Sequence, residues 1–180
     1  MTSKAWPLAA TRPTAEDDFD ALFLAHYEEV YRLLYRIVGT REEAEDVAQE
    51  TFLRLARQRF GSGREHNVRA WLYRVASNLA FNALRGQGRR QRREEQTVYA
   101  GATAGNPPPD PADAAAQADE RAAVRRVLAQ LPERQARLLL WRHAGLSYRE
   151  LAEALAVAPG SVGTLLARAE AEFEKAWREA

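Results

Sequence analysis

The sequence predicts an all-α protein made of two small helical domains joined by a flexible linker. Apolar residues recur at the i, i+3, i+4 spacing of amphipathic helices in several segments. No segment alternates β-branched with polar residues between turn signals, as strands do. The composition changes abruptly over residues 94–120, which hold six acidic residues, no basic residue and the Pro-rich run 106–111. Such a stretch is typical of a linker, so it divides the chain in two.

These observations set the domain boundaries. Residues 1–16 mix Pro, Thr and Ala without periodicity, which predicts a disordered tail. The first domain is predicted over 17–93, the acidic Pro/Ala-rich linker over 94–119, and the second domain over 120–180. With 180 residues and 46% hydrophobic content, the chain can bury a core in these domains.

Three helices are predicted in the first domain. An apolar stripe runs from Phe19 to Val38, where Gly39 ends the first helix. Thr40 and Glu43 have the spacing of a capping box and open the second helix. A third helical pattern begins near Asn67 and continues to Arg85 or beyond, with its apolar stripe facing inward. That stripe consists of Val68, Leu72, Val75, Ala76, Leu79 and Ala83.

The second domain is predicted to end in a helix-turn-helix. Ser147 and Glu150 form a second predicted capping box, which opens a short helix. The segment 157–159, Val-Ala-Pro, breaks this helix before a last helix resumes at Ser161. Two short helices joined by so tight a break indicate the motif.

Composition excludes several classes of function. The 26 Lys and Arg residues nearly balance the 25 Asp and Glu residues, so only local charge clusters can indicate a charged partner. The chain has no Cys, and its three His residues lack ligand spacing, so we expect neither metal nor cofactor. No carboxylate pair accompanies a nucleophile or a glycine-rich phosphate loop, so we expect no enzyme. The apolar stretch 5–10 is too short for a signal or a membrane span, which predicts a cytoplasmic protein without membrane insertion.

The third helix carries a face that suits single-stranded nucleic acid. Aromatic rings can stack on bases, arginines can hold phosphates and amides can read base edges. Beyond this face the helix continues into a cluster of five arginines, which suits phosphate binding. The alternative is an aromatic pair packed on the first helix, followed by a solvated basic helix end. The face consists of Trp71, Arg74, Asn78, Phe81, Asn82 and Arg85, and the cluster of Arg85, Arg89, Arg90, Arg92 and Arg93.

Two further surfaces are candidate interfaces. The second helix has an acidic outer face, which is either a protein-binding surface or only solvated surface. In a helix-turn-helix, the second helix enters the major groove with its N-terminal residues towards the bases, here Ser161, Thr164 and Arg168. A helical pair used only for protein interaction has the same pattern. The acidic face consists of Glu42, Glu45, Asp46, Gln49 and Glu50.

Over residues 19–176 the chain resembles a bacterial sigma factor of the extracytoplasmic-function (ECF) type, a two-domain member of the sigma-70 family. Segment 46–52, DVAQETF, resembles the part of region 2 that grips the clamp helices of the polymerase β′ subunit. Segment 69–78, RAWLYRVASN, resembles the promoter-melting helix, in which the Asn reads a flipped minus-10 base. Segments 131–135 (LPERQ) and 145–148 (GLSY), with the broken helix pair, are similar to the minus-35 binding region 4.

The resemblance implies core RNA polymerase (β′ clamp helices and β flap), promoter DNA and an anti-sigma factor as partners. It implies three sets of site residues. The core-polymerase set is Glu45, Asp46, Gln49, Glu50 and Leu53; the minus-10 and melting set is Arg69, Trp71, Arg74, Asn78, Asn82, Arg85, Arg89 and Arg90; the minus-35 set is Ser161, Thr164 and Arg168. Relatives often carry basic residues where this chain has Gly163, Leu165 and Glu170. The alternative function is a stand-alone helix-turn-helix regulator of duplex DNA, which would not need stacking residues on the third helix.

Overall fold

The computed structural model of the chain describes residues 15–58, 67–94 and 111–180, with side chains over 19–58, 67–86 and 118–180. This part of the chain contains α-helices and one 3-10 turn but no strand, which confirms the all-α prediction. The helices are α1 (Ala15–Val38), α2 (Arg41–Arg57), α3 (Val68–Glu94), α4 (Pro111–Gln130), α5 (Glu133–His143), α6 (Tyr148–Leu155) and α7 (Val162–Glu179), with the 3-10 turn at Pro159–Ser161.

Helices α1, α2 and α3 pack on one another and form the N-terminal domain. Its core draws on the apolar stripe of each helix: the buried residues include Val30 and Leu34 of α1, Ala48 and Phe52 of α2, and Leu72 and Ala76 of α3. Val68, Val75, Leu79 and Ala83 of the predicted α3 stripe are only half-buried. Gly39 ends α1 with a φ of 88°, a left-handed conformation that glycine adopts without strain. The apolar periodicity of α2 predicts that its inward stripe ends at Ala56, but Ala56 is exposed.

Helices α4 to α7 form the C-terminal domain, in which α6 and α7 make the predicted helix-turn-helix. The two helices are bent by 103° across the 3-10 turn, within the range of that motif. Leu151 of α6 and Val162 and Leu166 of α7 are buried in the core. No single helix in the described part of the chain is long and apolar enough to cross a membrane.

The two predicted capping boxes differ in outcome. At α6 the box is formed: the Ser147 N–H donates to Glu150 Oε2 (2.7 Å), and the Glu150 N–H donates to Ser147 Oγ (3.3 Å). At α2 the prediction is wrong, because Thr40 has the extended backbone of an N-cap but its side chain makes no capping hydrogen bond. The Thr40 hydroxyl is buried without a partner. The sequence pattern therefore located the start of α2 but not the direction of the Thr40 side chain, which depends on packing.

Two helix boundaries fall inside segments predicted to be irregular. Helix α4 begins at Pro111, within the predicted linker. Proline suits the first helical position because an N–H there would have no partner inside the helix, and the alanines that follow are strong helix formers. Helix α1 begins at Ala15, two residues inside the predicted tail. The rest of that tail, and residues 95–110 of the linker, lie outside the described residues.

Helix α3 packs against both domains. It contacts α1 and α2 within its own domain and α5 and α6 of the C-terminal domain. Of the predicted stripe, Leu72 and Ala76 are fully buried, but Tyr73, Ser77 and Ala80 are buried as well. Of these, Ser77 contacts Trp141 of the second domain, a contact that a single-helix periodicity does not reveal.

We expect Ser147→Ala to lower the free energy of unfolding by about 1 kcal/mol, because it removes a formed N-cap. Thr40→Ala is the matched control, since it removes a hydroxyl that caps nothing and is buried without a partner, and its cost should be about half or less. Urea denaturation of the full chain measures both. Equal losses at the two positions would contradict the difference in capping.

Candidate nucleic-acid interface

The acidic face of α2 is open to solvent. Glu45, Asp46 and Gln49 are exposed, Glu50 is half-buried, and Leu53 is 45% exposed. Two of the carboxylates are held in place by arginines one turn along the helix: Arg41 Nε donates to Glu45 (2.7 Å) and Arg54 Nε to Glu50 (2.8 Å). Because α2 packs against α1 and α3 through its opposite side, the five predicted polymerase-binding residues lie together on its outer surface.

The predicted minus-10 face of α3 is partly covered by the C-terminal domain. Arg85 donates to Asn82 on its own helix and to Glu133 of α5. The guanidinium of Arg137 lies 5.4 Å from the centre of the Phe81 ring, a cation–π distance. The face predicted for DNA therefore contacts protein in this structure.

A cavity of about 300 Å³ separates the rest of this face from α5 and α6. Arg74 and Asn78 of α3 form one wall, and the side chains of the C-terminal domain form the other. Trp71 is half-buried and packs against the hydrophobic core, so it is not a free stacking surface here. The opposite wall consists of Glu133, Arg134, Arg137, Trp141, Ala154 and Leu155.

Arg69, at the start of α3, joins the two domains. Its Nε donates to Glu29 Oε2 of α1 (2.9 Å). Its Nη2 donates to the carbonyl of Ala144 (3.2 Å), and its Nη1 lies within reach of the Gly145 carbonyl (3.3 Å) and of Glu150 Oε1 (3.4 Å). The side chain is 23% exposed. Its donors are thus engaged by acceptors from both domains.

The Glu150 carboxylate is held in its charged form. Burial alone would raise its pKa, but hydrogen bonds from Ser147 and the charge of Arg69 bring the pKa below its usual value. Glu150 therefore both caps α6 and contacts a cation of the other domain.

Sequence reasoning missed the buried pair Ser77 and Trp141. The indole Nε1 of Trp141 donates to Ser77 Oγ at 2.8 Å, and both residues are at most 1% exposed. A buried indole N–H needs a hydrogen-bond acceptor. In the sequence, the sign of such an acceptor is a serine that lies among the apolar residues of a helix. Only the fold, however, brings these two positions together.

The start of α7 presents the predicted minus-35 residues to solvent. Ser161, Thr164 and Arg168 are all exposed at the i, i+3, i+7 spacing of one helix face. Leu165, where the family resemblance predicts a basic residue, is half-buried against the hydrophobic core. Its apolar character therefore has a packing reason.

The remaining predicted residues cannot be placed in this site. The backbone of α3 continues to Glu94, but the side chains of Arg89 and Arg90 lie outside the described residues. Within the described ranges no group of three His, Asp or Glu side chains could hold a metal ion.

Comparison with known proteins identifies both domains. Residues 22–90 match Sigma-70 region 2, and residues 121–173 match Sigma-70 region 4. The chain is 32% identical to the ECF RNA polymerase sigma factor SigE of Mycolicibacterium smegmatis, over 93% of this chain and 69% of that protein. It is also 32% identical to the RNA polymerase sigma-H factor of Pseudomonas aeruginosa, over 88% of this chain and 85% of that protein.

Solved structures share the fold. The sigma factor RpoE of Bartonella quintana, in complex with the anti-sigma factor NepR, matches 89% of this chain and 97% of its own with a TM-score of 0.58 and 19% identity. CnrH, in complex with the cytosolic domain of CnrY, matches 89% of this chain and 87% of its own with a TM-score of 0.60 and 20% identity. With both sigma regions present in order, the chain belongs to the ECF sigma factors of the sigma-70 family, which act in transcription initiation.

Proposed function

We propose that this chain binds core RNA polymerase through the outer face of α2 and opens the minus-10 element with α3, while α7 contacts upstream duplex. The observation that carries the proposal is that one three-helix domain holds an exposed acidic face on α2 and, on α3, an aromatic, amide and arginine face that the C-terminal domain partly covers. The chain performs no catalysis itself. It acts through binding free energy, in the cytoplasm, where polymerase and chromosome are.

The α2 surface suits a basic partner helix. The exposed Leu53 lies one turn beyond Gln49 and Glu50 and two turns beyond Glu45 and Asp46, so an apolar contact is bordered on one side by acidic and amide groups, as at protein interfaces. The partner consistent with the family is the pair of β′ clamp helices, with the β flap as a second contact for the C-terminal domain. Charge complementarity of this kind sets association rate and orientation.

The α3 surface suits an unstacked strand. Trp71, Arg74 and Asn78 follow one another at intervals of about one turn on one side of α3, so the exposed Arg74 and the Asn78 amide can contact neighbouring nucleotides. The Trp71 ring can stack on a base once it leaves its packing against the core. These contacts exist only after a base has left the duplex, so they favour the open promoter. A regulator that binds only duplex has no use for them, and the match to Sigma-70 region 2 also disfavours that alternative.

An anti-sigma factor is the further partner that we propose. The support is the shared fold with a sigma factor whose solved structure contains an anti-sigma factor. Such a partner would compete with polymerase or DNA for the surfaces described above.

Reversing the charge of Asp46 should weaken binding to core polymerase by about tenfold. Asp46 is the best position on α2 for this test because its side chain is exposed and makes no ion pair among the described side chains. Asp20→Arg on α1 is the control, an exposed aspartate outside the proposed interface. Titration of labelled polymerase measures the affinity of both variants. Equal affinities for Asp46→Arg and wild type would show that the polymerase interface does not lie on α2.

Asn78→Ala and Trp71→Ala should slow promoter opening more than they weaken the first, closed promoter complex. The lost contacts are made only to the unstacked strand, and a stacking residue contributes about 1–3 kcal/mol. Permanganate reactivity of minus-10 thymines reports opening, and a thermal melt separates lost packing at Trp71 from lost stacking. Opening at the wild-type rate in both variants would contradict the role of α3.

Arg168→Ala should weaken binding of the holoenzyme to upstream duplex and reduce the slope of log affinity against log salt by ~0.9, the value for one phosphate contact. Arg178→Ala on the same helix is the matched control, because Arg178 is exposed and pairs with Glu174 far from the proposed contact. Curves for Arg168→Ala and wild type that superimpose at every salt concentration would show that α7 does not bind DNA.

A further inference from the structure

We propose that a cavity between α1, α4, α5 and α7 binds a single-chain anionic amphiphile, a molecule with a carboxylate or phosphate headgroup and an aliphatic chain. The cavity has a volume of about 770 Å³, within the range of small-molecule sites. None of the residues assigned above to polymerase or DNA lines it. The site is therefore additional to the proposed function and is tested without it.

The cavity is lined by an excess of positive charge. Five arginines face two glutamates across it. A concave site with apolar walls screens such charges less than open solvent does, so it attracts an anion more strongly than scattered surface arginines would. The arginines are Arg32, Arg36, Arg121, Arg125 and Arg142.

Arg36 and Arg125 form the candidate headgroup site. Arg125 of α4 lies against Gly39, directly after the end of α1, where a Cβ atom would be only 2.9 Å from Arg125 Nε. Arg36 lies in the last turn of α1, three residues before Gly39. Both arginines are thus brought to the same end of α1, and both line the cavity.

These two arginines keep their hydrogen-bond donors for a ligand. Arg32, one turn before Arg36, pairs with Glu28 at 2.9 Å. Arg36 and Arg125, by contrast, make no hydrogen bond or ion pair with any other residue that the structure describes. A guanidinium presents its donors in a fork that matches a carboxylate or a phosphate. The pair therefore suits an anionic headgroup.

The remaining lining is mostly apolar and suits a hydrocarbon chain. The rings of Tyr31 and Tyr35 stack along α1 with their centres 6.3 Å apart, and both line the cavity. Aliphatic and aromatic side chains of the other three helices complete the lining, and several of them are only half-buried. A chain that covers them gains free energy with each methylene removed from water. These side chains are Val124, Leu128, Leu139, Leu140 and Phe173.

The lining favours an amphiphile over a nucleotide or a membrane surface. Among the described residues that line the cavity there is no Asn, Gln, Ser or Thr, whose side chains commonly hydrogen-bond base edges and sugars. A base would place polar edges against leucine and valine, which is unfavourable. The site is also concave, so it suits one molecule, whereas the plane of a bilayer is contacted by a flat or convex surface.

Adjacent positions on α4 provide matched variants. Arg125→Gln removes a charge from the headgroup site, and Arg126→Gln removes one from an exposed neighbour that does not line the cavity. Val124→Phe enlarges a side chain of the apolar lining and so reduces the space for a chain. Thermal melts followed by circular dichroism verify that each variant is folded.

Isothermal titration calorimetry of the full chain measures the binding of octanoate, decanoate and dodecanoate, each below its critical micelle concentration. Dodecyl phosphate tests the second headgroup, and dodecyltrimethylammonium is the control of opposite charge. Sedimentation with phosphatidylglycerol vesicles tests a membrane surface as the source of the anion. A synthetic acidic amphipathic peptide tests a protein segment as the occupant.

We expect dodecanoate to bind the wild type, with affinity that rises about threefold for each added methylene. Arg125→Gln should weaken dodecanoate binding by about tenfold, because it removes a charge-assisted hydrogen bond, and Arg126→Gln should bind as the wild type does. Val124→Phe should bind octanoate as the wild type does but lose the gain in affinity from longer chains. A merely destabilised variant would not show this change in chain-length preference.

Several results would overturn the proposal. Equal affinities for dodecanoate and dodecyltrimethylammonium would show an apolar surface without anion selectivity. Equal binding by Arg125→Gln and wild type would show that the headgroup does not lie at the end of α1. Binding to the vesicles or to the peptide, with no binding of any free amphiphile, would assign the cavity to a membrane surface or to a protein partner instead.

Discussion

The arrangement of the two domains depends on helix α3 being packed on more than one side. A helix in a three-helix domain needs only one apolar stripe, and Leu72 and Ala76 supply it here. Arg69 and Ser77 make the second set of contacts, and both are polar: one satisfies carbonyl and carboxylate groups, the other a buried indole N–H. Polar groups at a contact can exchange their protein partners for water or for a nucleic acid at modest cost in free energy, whereas apolar groups lose free energy when they are exposed to water. Arg69 is thus both a residue proposed to contact DNA and a contact to the second domain.

Local features of this fold could be predicted from the sequence, and features that depend on tertiary packing could not. Helical periodicity identified α1 and α2 and most of their buried residues, and the Ser147 to Glu150 spacing identified a formed cap. The same spacing at Thr40 did not produce a cap, because packing decides where a buried hydroxyl points. Pro111 begins a helix inside a segment whose composition is typical of a linker, since proline and alanine also suit a helix start.

The features of the candidate site also fall into those that a local sequence pattern predicts and those that depend on tertiary packing. The acidic face of α2 and the exposed start of α7 are properties of single helices, so spacing was sufficient to find them. The engagement of Arg85 by Glu133 joins positions 48 residues apart, and that of Arg69 by Glu150 joins positions 81 apart. No local pattern encodes such pairs. What the sequence shows as a free basic and aromatic face is, in the folded chain, a face with a protein partner.

The composition of α7 makes this engagement important for promoter binding. Leu165 is half-buried against the hydrophobic core, so a DNA-contacting cation at that position would disturb the packing, whereas Gly163 has room for a side-chain atom at ordinary van der Waals distance from the Tyr148 ring. Arg168 is then the one arginine among the residues proposed to touch upstream duplex, and electrostatic affinity scales with the number of phosphates neutralised. Among the proposed DNA-contacting residues with described side chains, α3 supplies Arg69, Arg74 and Arg85, so it contributes more arginines than α7 does. In the proposed function, the larger share of the phosphate contacts therefore falls to α3.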